Sequence, residues 1–186
     1  MNKKRGVLKF IVITVMIAAM LVFTAACGGD KEYGLDEVQL AGKLLSEVNF
    51  DCELYQVQEE SVDNFIALEG AEKKIMYMGS GSYADSFGIF RLDSVDSAKT
   101  AFDSVTSYLA DLQDSFKDYI PKEADKVQNA VTVQKGRYVV FCITSDTENA
   151  SAIIEDSFTE LSGDGSQSNA SGDTEDPAQE GEGDET

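Results

Sequence analysis

An uncharged run of 17 residues, Phe10 to Ala26, constrains this chain more than any other feature. It separates a segment suited to lipid, or to removal, from a segment that must fold in water. Lys3, Lys4, Arg5 and Lys9 precede it, and it stops at Cys27-Gly28-Gly29. A basic start, an apolar centre and small residues before a break are the layout of an export leader. The run is near the lower length for a spanning helix and long for an ordinary leader, so its flanks decide the reading rather than its length.

Thr24-Ala25-Ala26-Cys27 resembles a bacterial lipobox, with Thr24 where leucine is usual. The expectation is a lipoprotein signal peptide over residues 1–26, a diacylglyceryl group on the Cys27 thiol, and a short tether over 27–35. Two or more acyl chains anchor a protein stably where a single chain gives only marginal binding. An uncleaved anchor helix and ordinary secretion are the alternatives, and all three place residues 28–186 outside the cytoplasm. The expected location is the outer face of the cell membrane.

Because the leader contributes +4 to a net charge of −19, the remaining residues carry −23. That surface repels phosphate backbones and excludes nucleic acid as a partner. The chain has no histidine, which removes the commonest general base and transition-metal ligand. From Ser162 onward the sequence has eight acids, no base and no large apolar residue. Such a stretch cannot bury enough surface to offset its ordering entropy, so 162–186 reads as a disordered acidic tail.

Between these ends, periodicity outlines one domain over 36–161. Leu35, Val38, Ala41, Leu44, Leu45 and Val48 recur at helical spacing. Phe50, Cys52 and Leu54 alternate as in a strand, and residues 59–68 suggest a short helical turn. "KKIMYMG" and "SFGIFRL" read as strands joined by "GSGSYAD". The spacing from Val95 to Tyr119 predicts a long helix capped by Asp93 or Ser94, and Pro121 opens a shorter one through Gln128. "AVTVQ" and "RYVVFCIT" form the next hairpin, and a last helix runs from Asp146–Thr147 to Phe158. The expected fold is α+β: an antiparallel sheet of four to five strands with helices on one face, arranged as two strand–strand–helix units. At an offset of 52 residues, Ala98 matches Ala150 and Phe102 matches Ile154.

No constellation of residues names a reaction. "GSGSYA", Gly79 to Ala84, follows a strand as a phosphate-binding loop would, but a dinucleotide site needs a helix opening directly behind it. Here an apolar strand pattern follows, so a hairpin loop is expected, with Ser82, Tyr83 and Asp85 as candidate ligand contacts and no cofactor. Cys52 and Cys142 are either an even pair suited to a disulfide in an exported domain or buried thiols within strands. Acids in "DSVDS" and "SDTEN" offer oxygen ligands for calcium, or helix caps, and the caps fit better. No metal site is therefore expected.

Three stretches, "NFDCEL" (49–54), "MGSGSYADSFGIFRL" (78–92) and "SFKDYIPKEADKVQNAVTVQKGRYVVFCIT" (115–144), together resemble small extracellular lipoproteins of low-GC Gram-positive bacteria, grouped as domain of unknown function 4358. The resemblance spans roughly residues 36–160. It implies an acidic residue in the strand opening at Ser86 and a side chain larger than Gly88, and this chain departs from both. It also implies a lipoprotein with an α+β domain, and it assigns no chemistry. The expected role is noncatalytic binding of an envelope protein or small ligand by a domain held to the membrane through Cys27. The rival classes are a carboxylate-dependent envelope hydrolase and a purely structural envelope protein.

Overall fold

Two strands are apolar on both faces, and this decides the architecture. In the computed structural model, which describes residues 31–161, strand β4 (Ser86–Leu92) points Phe87 and Ile89 one way and Phe90 and Leu92 the other. Strand β6 (Tyr138–Ile143) does the same with Tyr138, Val140 and Cys142 against Val139, Phe141 and Ile143. Runs this continuous must be covered twice. The expectations for the leader, Cys27 and the acidic tail lie outside the described residues.

The sheet has five antiparallel strands in the order β2 (Tyr55–Gln56), β3 (Ala71–Met78), β4, β6, β5 (Val131–Lys135). On one face lie α1 (Glu37–Glu47), through Leu40, Ala41 and Leu44, and α4 (Thr147–Ser157), through Ala150, Ile153 and Ile154. On the other face lie a 3₁₀ turn (Glu59–Asn64), α2 (Val95–Phe116) and α3 (Pro121–Gln128), through Val62, Ala98, Val105 and Val127. The α+β class and the five-strand antiparallel sheet are as expected. The helices cover both faces rather than one, because one layer would leave half of β4 and β6 in water.

The two strand–strand–helix units, β3–β4–α2 and β5–β6–α4, are both present, but they are of opposite hand. β4 and β6 run antiparallel at the sheet centre, so only a rotation about the sheet normal exchanges the hairpins. That rotation keeps each helix on its own face, whereas α2 and α4 lie on opposite faces. No rotation superposes one unit on the other, and the 52-residue match reflects shared patterning.

Local signals account for most element ends. Ser94 Oγ accepts the Ser97 N–H at 3.1 Å and starts α2, while Asp36 accepts the Gln39 N–H at 2.9 Å and starts α1. Each such cap stabilises by about 1 kcal/mol. Pro121 occupies the first turn of α3, where its missing N–H costs nothing. Of the strand expected in "NFDCELYQV" (49–57) only Tyr55–Gln56 pairs with β3; Phe50 instead stacks on Phe87 at 6.2 Å. Beyond that short strand Glu59 Oε1 accepts the Lys74 N–H at 3.0 Å, so a side chain occupies an edge position of β3.

The tether reading needs correction at its C-terminal end. Glu32–Gly34 forms strand β1, which pairs antiparallel with β7 (Thr159–Leu161) in a separate two-stranded ribbon. Tyr33 meets Phe158 edge-on at 6.2 Å, and Phe158 meets Tyr138 at 6.1 Å, which ties the ribbon to the sheet. Residues 32–34 therefore belong to the folded unit. No helix among the described residues is long and apolar enough to cross a membrane.

Gly88 lies directly opposite Phe141 in the β4–β6 ladder. A Cβ there would sit 2.4 Å from Phe141 Cε1 and 2.6 Å from Phe90 Cζ, so the two rings already fill the space a larger side chain would need. Both rings are fully buried. Gly88→Ala is expected to lower stability by about 1–3 kcal/mol, as overpacking of a dense core does, read as a lowered urea midpoint; an unchanged midpoint would mean that the rings move aside freely.

Candidate functional site

The clearest concentration of chemistry lies where the β3–β4 loop, the 49–54 segment and α3 meet at one end of the sheet. At its centre is the buried ammonium of Lys126. Its Nζ lies 2.6 Å from Asp85 Oδ2, 2.9 Å from Asp51 Oδ2 and 3.0 Å from Glu123 Oε2. Glu123 and Lys126 are three apart on α3, so both project from one face toward the sheet end. Lys122, largely exposed, reaches Asp51 from outside at 3.3 Å.

Each buried carboxylate also fastens a stretch of backbone. Asp85 Oδ1 accepts the Asp51 N–H at 3.1 Å, and Glu123 Oε2 accepts the Ala84 N–H at 2.8 Å. The Gly79 N–H donates to the Asp85 carbonyl at 2.7 Å, closing the loop at its base. Gly79 is required there, since a Cβ would lie 2.4 Å from Cys52 Sγ. The loop expected from "GSGSYA" is thus closed at its base by a backbone hydrogen bond and held at its Ala84 end by the ion cluster. The chain continues from Ala84 into β4, with no helix N-terminus behind the loop.

Electrostatics follow from this geometry. Burial works against the charged form of Lys126, but its bonds to Asp85, Asp51 and Glu123 outweigh that cost and hold its pKa above the ordinary lysine value. Hydrogen bonds from Lys126 and then Lys122 hold the Asp51 carboxyl below its ordinary value. Burial is the largest cause raising the Cys52 thiol, opposed by a backbone bond at Ser80. Burial, with the charges of Asp85 and Asp146, pushes the Cys142 thiol up to about 12.

The residues singled out from sequence separate on the structure. Ser82 and Tyr83 lie on the outer side of the loop, with Tyr83 43% exposed. Asp85 is fully buried and turned inward, so it braces the loop that presents the other two. Cys52 and Cys142 are free thiols. Cys52 sits against Gly79 at the end of β3, Cys142 lies in β6 opposite Phe87, and β4 stands between them. In "DSVDS" Ser94 caps the helix; in "SDTEN" the Asp146 carboxylate accepts from Asn49 and Asn149 instead of capping its own helix. Among the described residues no group of His, Cys, Asp or Glu side chains is arranged to hold a metal ion.

Asp51, Glu123 and Lys126 were not singled out from sequence. The one available signal was the Glu-x-x-Lys spacing in "PKEADK", a pairing that exposed helices also use freely. Two concavities lie elsewhere: one of about 360 Å³ between α1 and β3, walled by Val38, Gly42, Leu45 and Tyr77, and one beside β1.

A family model described as domain of unknown function (DUF4358) matches residues 50–144. This chain belongs to that family. The match begins at Phe50, beside Asp51, and ends at Thr144 after β6, so all four charged groups of the cluster fall within the DUF4358 region. The β1–β7 ribbon, α1 and α4 lie beyond it. No curated protein and no solved structure matches the chain.

Removing the ammonium should expose what the cluster contributes. Lys126→Met leaves Asp85 and Glu123 buried without their cation, and a loss of about 3–5 kcal/mol is expected by urea denaturation at neutral pH. The loss should shrink in acid, where the carboxylates are neutralised; an equal loss at both pH values would point to packing instead. In the native protein the Asp51 contribution is present above the ordinary carboxyl value of 3.8 and is lost as pH falls through its lower folded value. The Lys126 contribution is present below the ordinary 10.5 and is lost as pH rises through its higher folded value. Thiol alkylation of the native domain is expected to modify Cys52 slowly and Cys142 only after unfolding. Equal rates in the native state would contradict the burial of Cys142.

Proposed function

We propose that this chain is a membrane-anchored extracellular lipoprotein, held through a diacylglyceryl group on Cys27. Its DUF4358 domain binds an envelope protein or small ligand without catalysing a reaction. The lipobox-like Thr24-Ala25-Ala26-Cys27 and the basic, apolar leader support the anchor.

The observation that carries the binding reading is the state of the buried charges. The Lys126 ammonium, both oxygens of Asp85 and the Glu123 Oε2 are occupied in mutual contacts or in backbone hydrogen bonds. A general acid or base needs a proton position open to substrate, and these groups are committed to holding the loop rigid. The cluster serves as a foundation, and the surface above it presents Tyr83, Ser82, Lys122 and one edge of Asp51. Rigid presentation of an aromatic ring with nearby polar groups reduces the ordering cost of association.

Intact mass of protein extracted from membranes tests the anchor: a chain beginning at Cys27 with added diacylglycerol is expected, and a mass that still includes Met1 would mean a retained leader. A photoreactive residue in place of Tyr83, on cells displaying the full chain, tests the site. A discrete adduct is expected there and not from the same residue at Val38; equal labelling at both positions, or none at Tyr83, would defeat the binding reading.

A further inference from the structure

We propose that the domain rests on the lipid headgroup layer by the end built from β1, β7 and the Gly136 turn between β5 and β6, with the Lys126 cluster pointing away from the membrane. The inference rests on the anchoring at Cys27 proposed above.

Four residues of chain lead from Cys27 to Lys31. A chain spans at most about 3.6 Å per residue, so Lys31 lies within about 14 Å of the lipidated thiol. The place of Lys31 on the domain is fixed: its Nζ pairs with Glu160 at 2.9 Å, and the next residue, Glu32, is in register with Leu161. The β1–β7 end is therefore the part of the domain that the anchor draws to the bilayer.

The chemistry of that end suits a headgroup layer. A groove of about 310 Å³ opens there between β1 and the β5–β6 turn, with Lys31, Tyr33, Arg137 and Leu161 on its walls. Leu161 is 49% exposed at the rim. Tyrosine rings and long basic side chains, apolar along their length and polar at the tip, are the groups that favour a membrane–water interface. Both arginines of the described residues, Arg91 and Arg137, are at this end, each 3.3 Å from Glu72. Residues 31–161 as a whole hold 25 acids against 11 bases, and at this end the bases are matched by Glu72 and Glu160. An anionic lipid surface repels such a body and opposes its lying flat.

The candidate site is then held clear of the bilayer. β4 runs from Ser86, next to Asp85, to Leu92, whose N–H donates to the Arg137 carbonyl at 2.8 Å. Six steps of about 3.3 Å separate those ends by about 20 Å. A partner at Tyr83 and Lys122 would meet the domain on its outward side.

The chain has no tryptophan, so a single introduced indole is a unique reporter. Leu161→Trp and Tyr119→Trp place it on exposed positions, one at the ribbon end and one after α2 beside the cluster, where Tyr119 is 87% exposed. Each lipidated full-length variant would be reconstituted into phosphatidylcholine–phosphatidylglycerol vesicles carrying a headgroup nitroxide, with unchanged circular dichroism as the check on folding. Several-fold stronger quenching at position 161 than at 119 is expected. Equal quenching, or stronger quenching at 119, in protein whose intact mass carries diacylglycerol on Cys27 would overturn the orientation and leave the anchor standing. A mass without that group would overturn both.

Discussion

The structure depends on burying β4 and β6 on both faces. Phe87 and Ile89 require α1 and α4, whereas Phe90, Leu92 and Phe141 require α2, α3 and the 3₁₀ turn. Neither helical layer alone would leave a soluble sheet. Burial of this kind is worth about 25 cal/mol per Å² of apolar surface, far more than any surface ion pair contributes. The position of Gly88 follows from the same demand, since the room a side chain would take there is used by two phenylalanine rings.

The ion cluster is where this sheet meets its polar end. A lysine ammonium is rarely buried, and a buried pair often does no better than apolar side chains of equal size would. What the cluster adds is definition. Lys126 joins carboxylates from three separate stretches, at Asp51, Asp85 and Glu123; Asp85 also accepts the Asp51 N–H and Glu123 the Ala84 N–H. Loop, 49–54 segment and α3 are thereby fixed relative to one another at the end of the sheet where Tyr83 stands exposed.

Much of the fold was legible because local patterns are short-range. The 3.6-residue spacing from Val95, the Ser94 cap, Pro121 and the two hairpins all lie in continuous stretches, and each appears where its signal sits. The helical layers were harder to place, although "YVVFCI" already held the answer: an unbroken apolar strand has no face left for water. The β1–β7 ribbon could not be read at all, because "EYG" and "TEL" have no apolar alternation and pair across more than a hundred residues. The cluster was invisible for a related reason. Aspartate and glutamate are abundant here, and nothing local distinguishes the buried Asp85 from the exposed acids around it.

The order of the strands also bears on how the chain comes together. Two of the central contacts, β3–β4 and β5–β6, close short loops and need little more than local chain motion. The pairing of β4 with β6 joins segments separated by about 45 residues, including all of α2 and α3, and so carries a larger loop-closure cost. On that cost, the two hairpins are expected to close before β4 and β6 pair. Until that step is complete, the inner edges of both hairpins remain unpaired, and the helical excursion between them serves as the linker that delivers one edge to the other.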